Sequence, residues 1–358
     1  MELAAIMLEA AREVVGDAAL APAALHRAIA DRSVRYTSDR AHLARPADPI
    51  GDLAARAVFF TPADEPKLGV PLGELARRGA LPSREPLRVV DLGAGCGAMS
   101  LGIAARIATP LELHLVDRDA GALAIAKRAL ARAAPHARVT TVAGDAASIA
   151  IPPAELVVLG NLLNELPAAA RLPLIERALA AIADDGAVIA IEPALRETTR
   201  ALHELRDAVL AARLGHVFAP CTRSCAPCPA LADPSDWCHE DRAHDLPPVL
   251  AELARVTHLR DDGLKFSYLV LRRSSTPLVD EAGAAWRVVS APHAQKGKLE
   301  LYGCSDAGRV TLRLLRRNRA AANRAFERAE RGDVLVVRGA ESSDARVEIT
   351  ADTSVEKR

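Results

Sequence analysis

The chain has 358 residues, half of them hydrophobic but only 3% aromatic, which is length and apolar content enough for two or three domains with real cores. Lys plus Arg and Asp plus Glu each total 46, so the formal net charge is zero; a globally basic nucleic-acid binder is excluded, and any such surface must be a local patch. No uninterrupted apolar run approaches about 18 residues, so no transmembrane helix is expected. Glu2, Glu9, Glu13 and Asp17, with no basic opening, argue against a signal peptide or a mitochondrial presequence. The expectation is a cytoplasmic monomer without membrane contact. In that reducing compartment, clustered cysteines bind metal or do redox chemistry more often than they form structural disulfides.

In chain order, residues 1–85 read as a helical region. "LAAIMLEAAREVV" repeats apolar residues at helical spacing, "LAARAVFF" and "LGELARRG" continue it, and Pro62, Pro66 and Pro71 punctuate it as turns. It reads as a helical cap without chemistry of its own. Residues 86–200 alternate strand and helix with short turns: "LRVVDLG", "LELHLVD", "RVTTVAGD", "AELVVLGN" and "GAVIAIEP" as strands, with helical segments such as "AGALAIAKRALARAA" among them. That alternation predicts an α/β fold with a parallel, doubly wound sheet. A cysteine-rich loop at 221–240, a helix "LPPVLAELARVT" and a strand "FSYLVLRR" complete a second domain over 86–275, and "SSTPLVDEAGAA" reads as a linker. Short strands such as "GKLELYGC" and "GDVLVVRGA", with one Arg-rich helical stretch, "NRAAANRAFERAERG", predict a small basic β module of OB-like, barrel-like character over 286–358.

"VVDLGAGCGAMS" follows a strand and opens a helix. Gly93, Gly95 and Gly97 form G-x-G-x-G; glycine admits positive φ and close approach of backbone to a ligand, and a helix N-terminus suits a carboxylate or phosphate. The next strand ends in Asp117, placed to accept bonds from both ribose hydroxyls. Asp91 before the turn, Asp145 in "AGDAAS" and Asn161 at the end of the fourth strand complete a candidate nucleoside pocket. A glycine turn alone is also an ordinary α/β turn or a dinucleotide site. The G-x-G-x-G spacing and the series "D-L-G-x-G-x-G … V-D … G-D-A" resemble the class I methyltransferases, which implies a Rossmann-like fold and S-adenosylmethionine (SAM) as cofactor.

After the fourth strand the chain reads "GNLLNELP". The Asn/Asp-Pro-Pro-aromatic platform common among amine methyltransferases is absent, and there is no nearby cysteine for cytosine-C5 chemistry. Asn161, Asn164 and Glu165 are the catalytic candidates, to orient a substrate amine or accept a proton; capping the following helix is an equally good use of them.

The loop "CTRSCAPCPALADPSDWCHE" holds Cys221, Cys225, Cys228 and Cys238, four of six cysteines within 18 residues, while Cys96 lies in the glycine turn and Cys304 in "LELYGCS". Four thiolates suit Zn²⁺ or an iron–sulfur cluster. Cys221, Cys225 and Cys228 have the C-x3-C-x2-C spacing of radical-SAM enzymes, but that motif opens a (βα) partial barrel, whereas here it follows a completed sheet.

The combination of core, "AIEP", "PC…CP…DWCHE", "KFSYLVLRR" and "KGKLELYGC" resembles the methyltransferase-like assembly factors of the small ribosomal subunit in mitochondria and their bacterial relatives. The resemblance implies a [4Fe–4S] cluster on three loop cysteines and one from the later β segment: Cys221, Cys228, Cys238 and Cys304, with Cys225 able to replace Cys221 or Cys228. It also implies the small ribosomal subunit and its rRNA as partners. The family's "EPG" is Glu192-Pro193-Ala194 here. Arg316, Arg317 and Arg319, in the run "RLLRRNR" without local acids, are the candidate phosphate contacts; an exposed helix laced with Glu–Arg pairs is the plainer reading of the stretch that follows. Three functions stay open: a cluster-bearing, SAM-binding assembly protein, an active rRNA methyltransferase, and a non-catalytic assembly factor with structural zinc.

Overall fold

The computed structural model describes residues 2–39, 46–225, 227–259, 263–281, 283–343 and 346–358. The expected linker includes residue 282 and the cysteine loop includes residue 226, and both positions lie outside the described residues. The chain divides into two compact units: Met1–Gly73, Leu81–Ile191 and Ala243–Leu264 form the first, and Glu74–Ala80, Glu192–Arg242 and Lys265–Arg358 the second. The cysteine loop thus groups with the C-terminal strands rather than with the glycine turn.

The first unit opens with α1 (Leu3–Leu20), α2 (Pro22–Thr37) and α3 (Pro49–Ala55). Proline begins α2 and α3, where a missing N–H costs nothing, and Asp48 caps α3 by accepting from the Gly51 N–H at 2.9 Å. A π-helical turn, Arg56–Phe60, leads into α4 (Thr61–Asp64) and then α5 (Gly69–Arg77). The α/β part follows as β1 (Leu87–Leu92), α6 (Ala98–Ala104), β2 (Leu111–Asp117), α7 (Ala120–Ala133), β3 (Ala137–Ala143), β4 (Ala154–Gly160), α8 (Ala168–Ala181) and β5 (Ile182–Pro193). Strands β1 to β5 are parallel in the order β3-β2-β1-β4-β5. Strand β4 is apolar and buried nearly throughout, as a central parallel strand covered on both faces must be. The order reverses at β1, and Leu92 pairs with Val116 on one side and Leu159 on the other, so the segments after β1, β2 and β4 leave at one carboxyl edge. This is the class I methyltransferase fold.

In the second unit come α9 (Arg196–Ala211), β6 (His216–Ala219) and β7 (Glu240–Arg242). Helix α10 (Pro248–Val256) returns to the first unit, and β8 (Leu264–Arg272) pairs with β6 antiparallel. The module beyond consists of β9 (Ala285–Val288), β10 (His293–Gln295), β11 (Lys298–Ser305), β12 (Gly308–Leu315), α11 (Arg324–Glu327), β13 (Val334–Arg338), β14 (Glu341–Ser343), β15 (Arg346–Ile349) and β16 (Ser354–Lys357). Its sheet runs β14-β15-β12-β11-β9-β13-β16, with β10 on β11. One face closes over Trp286, Leu301, Leu312, Phe326, Leu335 and Ile349. Gly303 is needed there, since a Cβ would stand 2.8 Å from Leu312 and 3.1 Å from the Trp286 ring. The Arg-rich stretch expected as a helix forms only a 3-10 turn at Ala321–Asn323 and the single turn of α11. Buried Asn323 holds it in place by donating to the carbonyls of Asn318 and Thr350.

Candidate functional site: a glycine turn and a four-cysteine cavity

Gly93, Gly95 and Gly97 all take positive φ, at 71°, 53° and 91°, which an L side chain resists. Asp117, expected to face ribose, accepts from the Gly95 N–H at 2.8 Å and from the Asp119 N–H at 2.9 Å. It therefore fixes the glycine turn, and its remaining lone pairs are what it can offer a ligand. Asp145 is held in the same way, accepting from the Ala147 N–H at 2.9 Å and pairing with Arg118 at 2.7 Å. The Ala147 N–H and Arg118 keep its carboxyl below the usual carboxylate range. Asp91 lies deeper than a pocket wall, 1% exposed, and takes the Ser100 N–H at 3.1 Å and hydroxyl at 2.6 Å on one oxygen; its other oxygen is buried without a partner. Burial pushes its pKa up to about 7 against the pull of the Ser100 bonds.

Asn161 ends β4 in the left-handed region at φ 55°, rare for a residue with a side chain. Its Nδ2 donates to Asp64 at 2.9 Å, its carbonyl accepts from Asn164 Nδ2 at 2.8 Å, and its Oδ1 is buried without a partner. Glu165 closes a 3-10 turn, Leu163–Glu165. The Tyr36 hydroxyl is pushed up first by burial, with Arg32 opposing and Glu165 and Asp64 adding to the rise. The helical cap thus supplies polar groups that the sequence reading missed. Arg56, on the π turn, bonds Asp119 at 2.6 Å and stands 3.3 Å from where a Gly95 Cβ would be. Burial works against its charge, but Cys96, Asp117, Asp119 and Asp52 together raise its pKa. Arg32 bonds buried Asp52 at 2.9 Å and the Tyr36 hydroxyl at 2.9 Å. The available signal was an arginine in the apolar run "LAARAVFF", a charge that has to find a partner.

In the second unit, Cys221, Cys228, Cys238 and Cys304 line one cavity. Cys225 does not line it; it is exposed, beside Leu210, Arg213 and His216. The loop is tied to the hairpin β11–β12 by side chains and backbone together: the Thr222 hydroxyl donates to the Cys304 carbonyl at 3.0 Å, the Ser224 N–H to the Asp306 carboxylate at 3.0 Å, and the Arg223 guanidinium to the Asp306 carbonyl at 2.6 Å. Arg309, near the start of β12, pairs with Asp236 and lines the cavity. Arg206, 1% exposed, bonds Asp207 at 2.5 Å and the carbonyls of Arg223 at 2.9 Å and Cys225 at 3.0 Å. Arg287 bonds Glu74 at 2.6 Å, both nearly unexposed, and Tyr268 donates to the same carboxylate at 2.6 Å.

Burial raises the thiol pKa values first and neighbouring sulfurs second: Cys228 to about 11, Cys304 to about 12, and Cys238 well above its ordinary value. His203, also on the wall, is pushed down to about 4 by burial, so it is neutral and its Nε2 holds the Cys238 backbone at 3.1–3.3 Å. Among the described residues, no three His, Cys, Asp or Glu side chains are set closely enough to hold a metal ion. His239, beside Cys238, stacks on Trp237 at 5.7 Å.

Arg316, Arg317 and Arg319 are exposed, and no acid pairs with the first two among the described residues. The run is not free of acids, however. Arg319 pairs with Glu327 at 2.5 Å and Arg313 with Glu348 at 2.5 Å. No helix among the described residues is long and apolar enough to cross a membrane.

The family model described as "mitochondrial small ribosomal subunit Rsm22" matches residues 67–336, well over half of the chain. Among solved structures, magnesium protoporphyrin IX methyltransferase (ChlM) from Synechocystis PCC 6803 with bound SAM is 13% identical with a TM-score of 0.39, over 68% of this chain and 95% of that one. The pyocyanin biosynthetic protein PhzM is 20% identical with a TM-score of 0.37, over 75% and 73%. The SAM-dependent methyltransferase SibL in its apo form is 24% identical with a TM-score of 0.30, over 40% and 38%. No curated protein matches the chain.

Proposed function

Because the chain belongs to the Rsm22 family, described as mitochondrial small ribosomal subunit, we propose that it acts in assembly of the small ribosomal subunit, binding SAM at its glycine turn and a [4Fe–4S] cluster on Cys221, Cys228, Cys238 and Cys304. One observation carries the reading: four cysteines separated by as many as 83 positions line a single cavity, while the adjacent Cys225 does not. The donor set fits the cluster. Four cysteine thiols on one cavity wall are the donor set that either a [4Fe–4S] cluster or a Zn²⁺ takes. The family resemblance favours the cluster, whose four irons would each take one of these thiolates. The raised thiol pKa values mean that loading must release protons. Arg206, Arg223 and Arg309 on the wall offset the charge of the resulting thiolates. Bound, the cluster supplies a covalent tie between the loop and β11; four protein thiolates leave no iron open to SAM.

SAM at Gly93, Gly95, Gly97 and Asp117 is supported by the positive-φ turn at the point where the strand order reverses. RNA contact through Arg316 and Arg317 is supported by their exposure and lack of acids. A second reading, methyl transfer to rRNA with Asn161, Asn164 and Glu165 at the reacting end, is favoured by the buried, unpartnered Asn161 Oδ1, an acceptor suited to a substrate amine. Anaerobically purified protein tests the main reading. It should be brown, with about four irons and four sulfides per chain; colourless protein carrying one zinc overturns the cluster. Incubation with SAM and small-subunit rRNA decides the second reading, by whether methyl groups appear in the RNA.

A further inference from the structure

The cavity wall contains a polar group that the free chain leaves unsatisfied. Arg206 is 1% exposed, yet its Nε–H has no hydrogen-bond partner. Its other nitrogens are engaged: Nη1 with Asp207, Nη2 with the carbonyls of Arg223 and Cys225. An unmade hydrogen bond on a buried charged group costs about 1–3 kcal/mol or more, so a guanidinium pinned on two edges with its third edge bare calls for an acceptor on the cavity side, where the Cys221 sulfur lies near it without completing a well-formed bond. Arg206 and Cys221 line the same cavity. The Cys221 sulfur is the strongest of the neighbours that favour the Arg206 charge, acting against burial.

We propose that Arg206 is a positioning residue for the cluster, donating its Nε–H to the Cys221 thiolate once that thiolate ligates iron. The inference rests on the cluster reading above. The same guanidinium fixes the loop carbonyls on either side of Ser224, so it orients Cys221 through the backbone and through the sulfur together. A hydrogen bond and a positive charge at a ligating sulfur withdraw electron density and favour the reduced cluster, which raises its potential. The three other wall arginines differ: Arg287 gives its nitrogens to Glu74, Pro220 and Gly332, Arg309 pairs with Asp236, and Arg223 donates to the carbonyls of Cys225 and Asp306.

The test is a redox titration of the anaerobically reconstituted full-length protein, wild type against Arg206→Gln and Arg206→Lys, followed by absorbance and by the electron paramagnetic resonance of the reduced cluster. Iron and sulfide are assayed on each sample. Arg206→Gln should keep most of its iron, with the reduced-to-oxidised ratio at fixed poise falling at least tenfold, a 59 mV shift for one electron. Arg206→Lys, which keeps the charge and loses the fixed Nε–H, should fall between. A wild-type midpoint in an iron-replete Arg206→Gln overturns the proposal while leaving the cluster in place. Loss of iron from both variants overturns it as well, because Arg206 would then be needed for the loop to fold rather than for tuning. Wild-type protein that binds no iron fails the underlying reading instead.

Discussion

The glycine turn and the cysteine cavity hold their titratable groups in different ways. At the turn, the ligand-facing acids are already occupied by their own backbone: Asp117 by the N–H groups of Gly95 and Asp119, Asp145 by Ala147. In the cavity, three thiols are raised well above their ordinary pKa and the buried Arg206 Nε is bare. The first site holds two of its acids fixed with or without a ligand, although Asp91 Oδ1 and Asn161 Oδ1 are buried there without partners. The second leaves groups in need of one. In this chain, then, Asp117 and Asp145 are preorganised, and both sites keep a buried polar atom without a partner.

Removing the metal should break this contrast most visibly. Iron chelation, or Cys304→Ser, should empty the cavity and expose the loop 221–240 to protease, because ligation from 221 to 304 closes a loop of about 80 residues. SAM affinity at the turn should not move. Cys225→Ser and Cys96→Ser should leave iron content intact: Cys225 lies outside the cavity, and Cys96 is a buried thiol of the other unit held near pKa 11 by burial. Iron content answers the question directly; full iron in Cys304→Ser, with unchanged protease resistance, would make Cys225 the fourth ligand.

The turn carries its own cost in Asp91, and pH exposes it. Its folded pKa, about 7, lies well above the ordinary aspartate value of about 3.9. Between those values the native state holds a proton that the unfolded chain has released. The stability this contributes is complete below about pH 4 and is lost as pH rises through 7. The shift corresponds to a few kcal/mol at most. Asp91→Asn keeps an acceptor for Ser100 and removes the titration, so its melting temperature should flatten between pH 5 and 8 where the wild type declines. A wild-type slope in the variant would place the titrating group elsewhere.

What sequence made legible follows from the range of the forces involved. The parallel sheet and its turn are written locally, in apolar strand runs and in glycines at positions that need positive φ. The Arg56–Asp119, Asn161–Asp64 and Arg287–Glu74 contacts join residues 63, 97 and 213 positions apart, and no local pattern announces them. The same blindness misread the basic run. "RLLRRNR" contains no acid, yet Arg313 and Arg319 find Glu348 and Glu327 through the fold. The four-cysteine set came from resemblance; the spacing alone could not separate Cys225 from its neighbours.

Preorganisation at the turn predicts a moderate, specific effect for Asp117→Ala. The ribose bonds and the clamp on Gly95 go together, so SAM should bind about tenfold more weakly or worse, within the roughly 1–3 kcal/mol of a charged hydrogen-bonding group. Fold stability should fall by less than in the iron-depleted protein. Unchanged affinity by calorimetry would mean that Asp117 serves the turn alone.

The smallest effect expected is at the basic surface, and there the structure sharpens a prediction that sequence made too broadly. A phosphate contact contributes roughly one unit to the log–log salt slope of RNA binding. An arginine already paired with an acid must give up that pair first. Arg316 and Arg317 are exposed and unpaired among the described residues, whereas Arg319 is engaged by Glu327 at 2.5 Å. Replacing Arg316 and Arg317 together by Ala should therefore lower the slope for small-subunit rRNA by about two units, since phosphate contacts carry most of the salt dependence. Arg319→Ala should change it by much less than one unit. Equal losses at all three would show that RNA displaces Glu327 and that the run acts as one patch. No loss at Arg316 and Arg317 would place the RNA on another face of the protein.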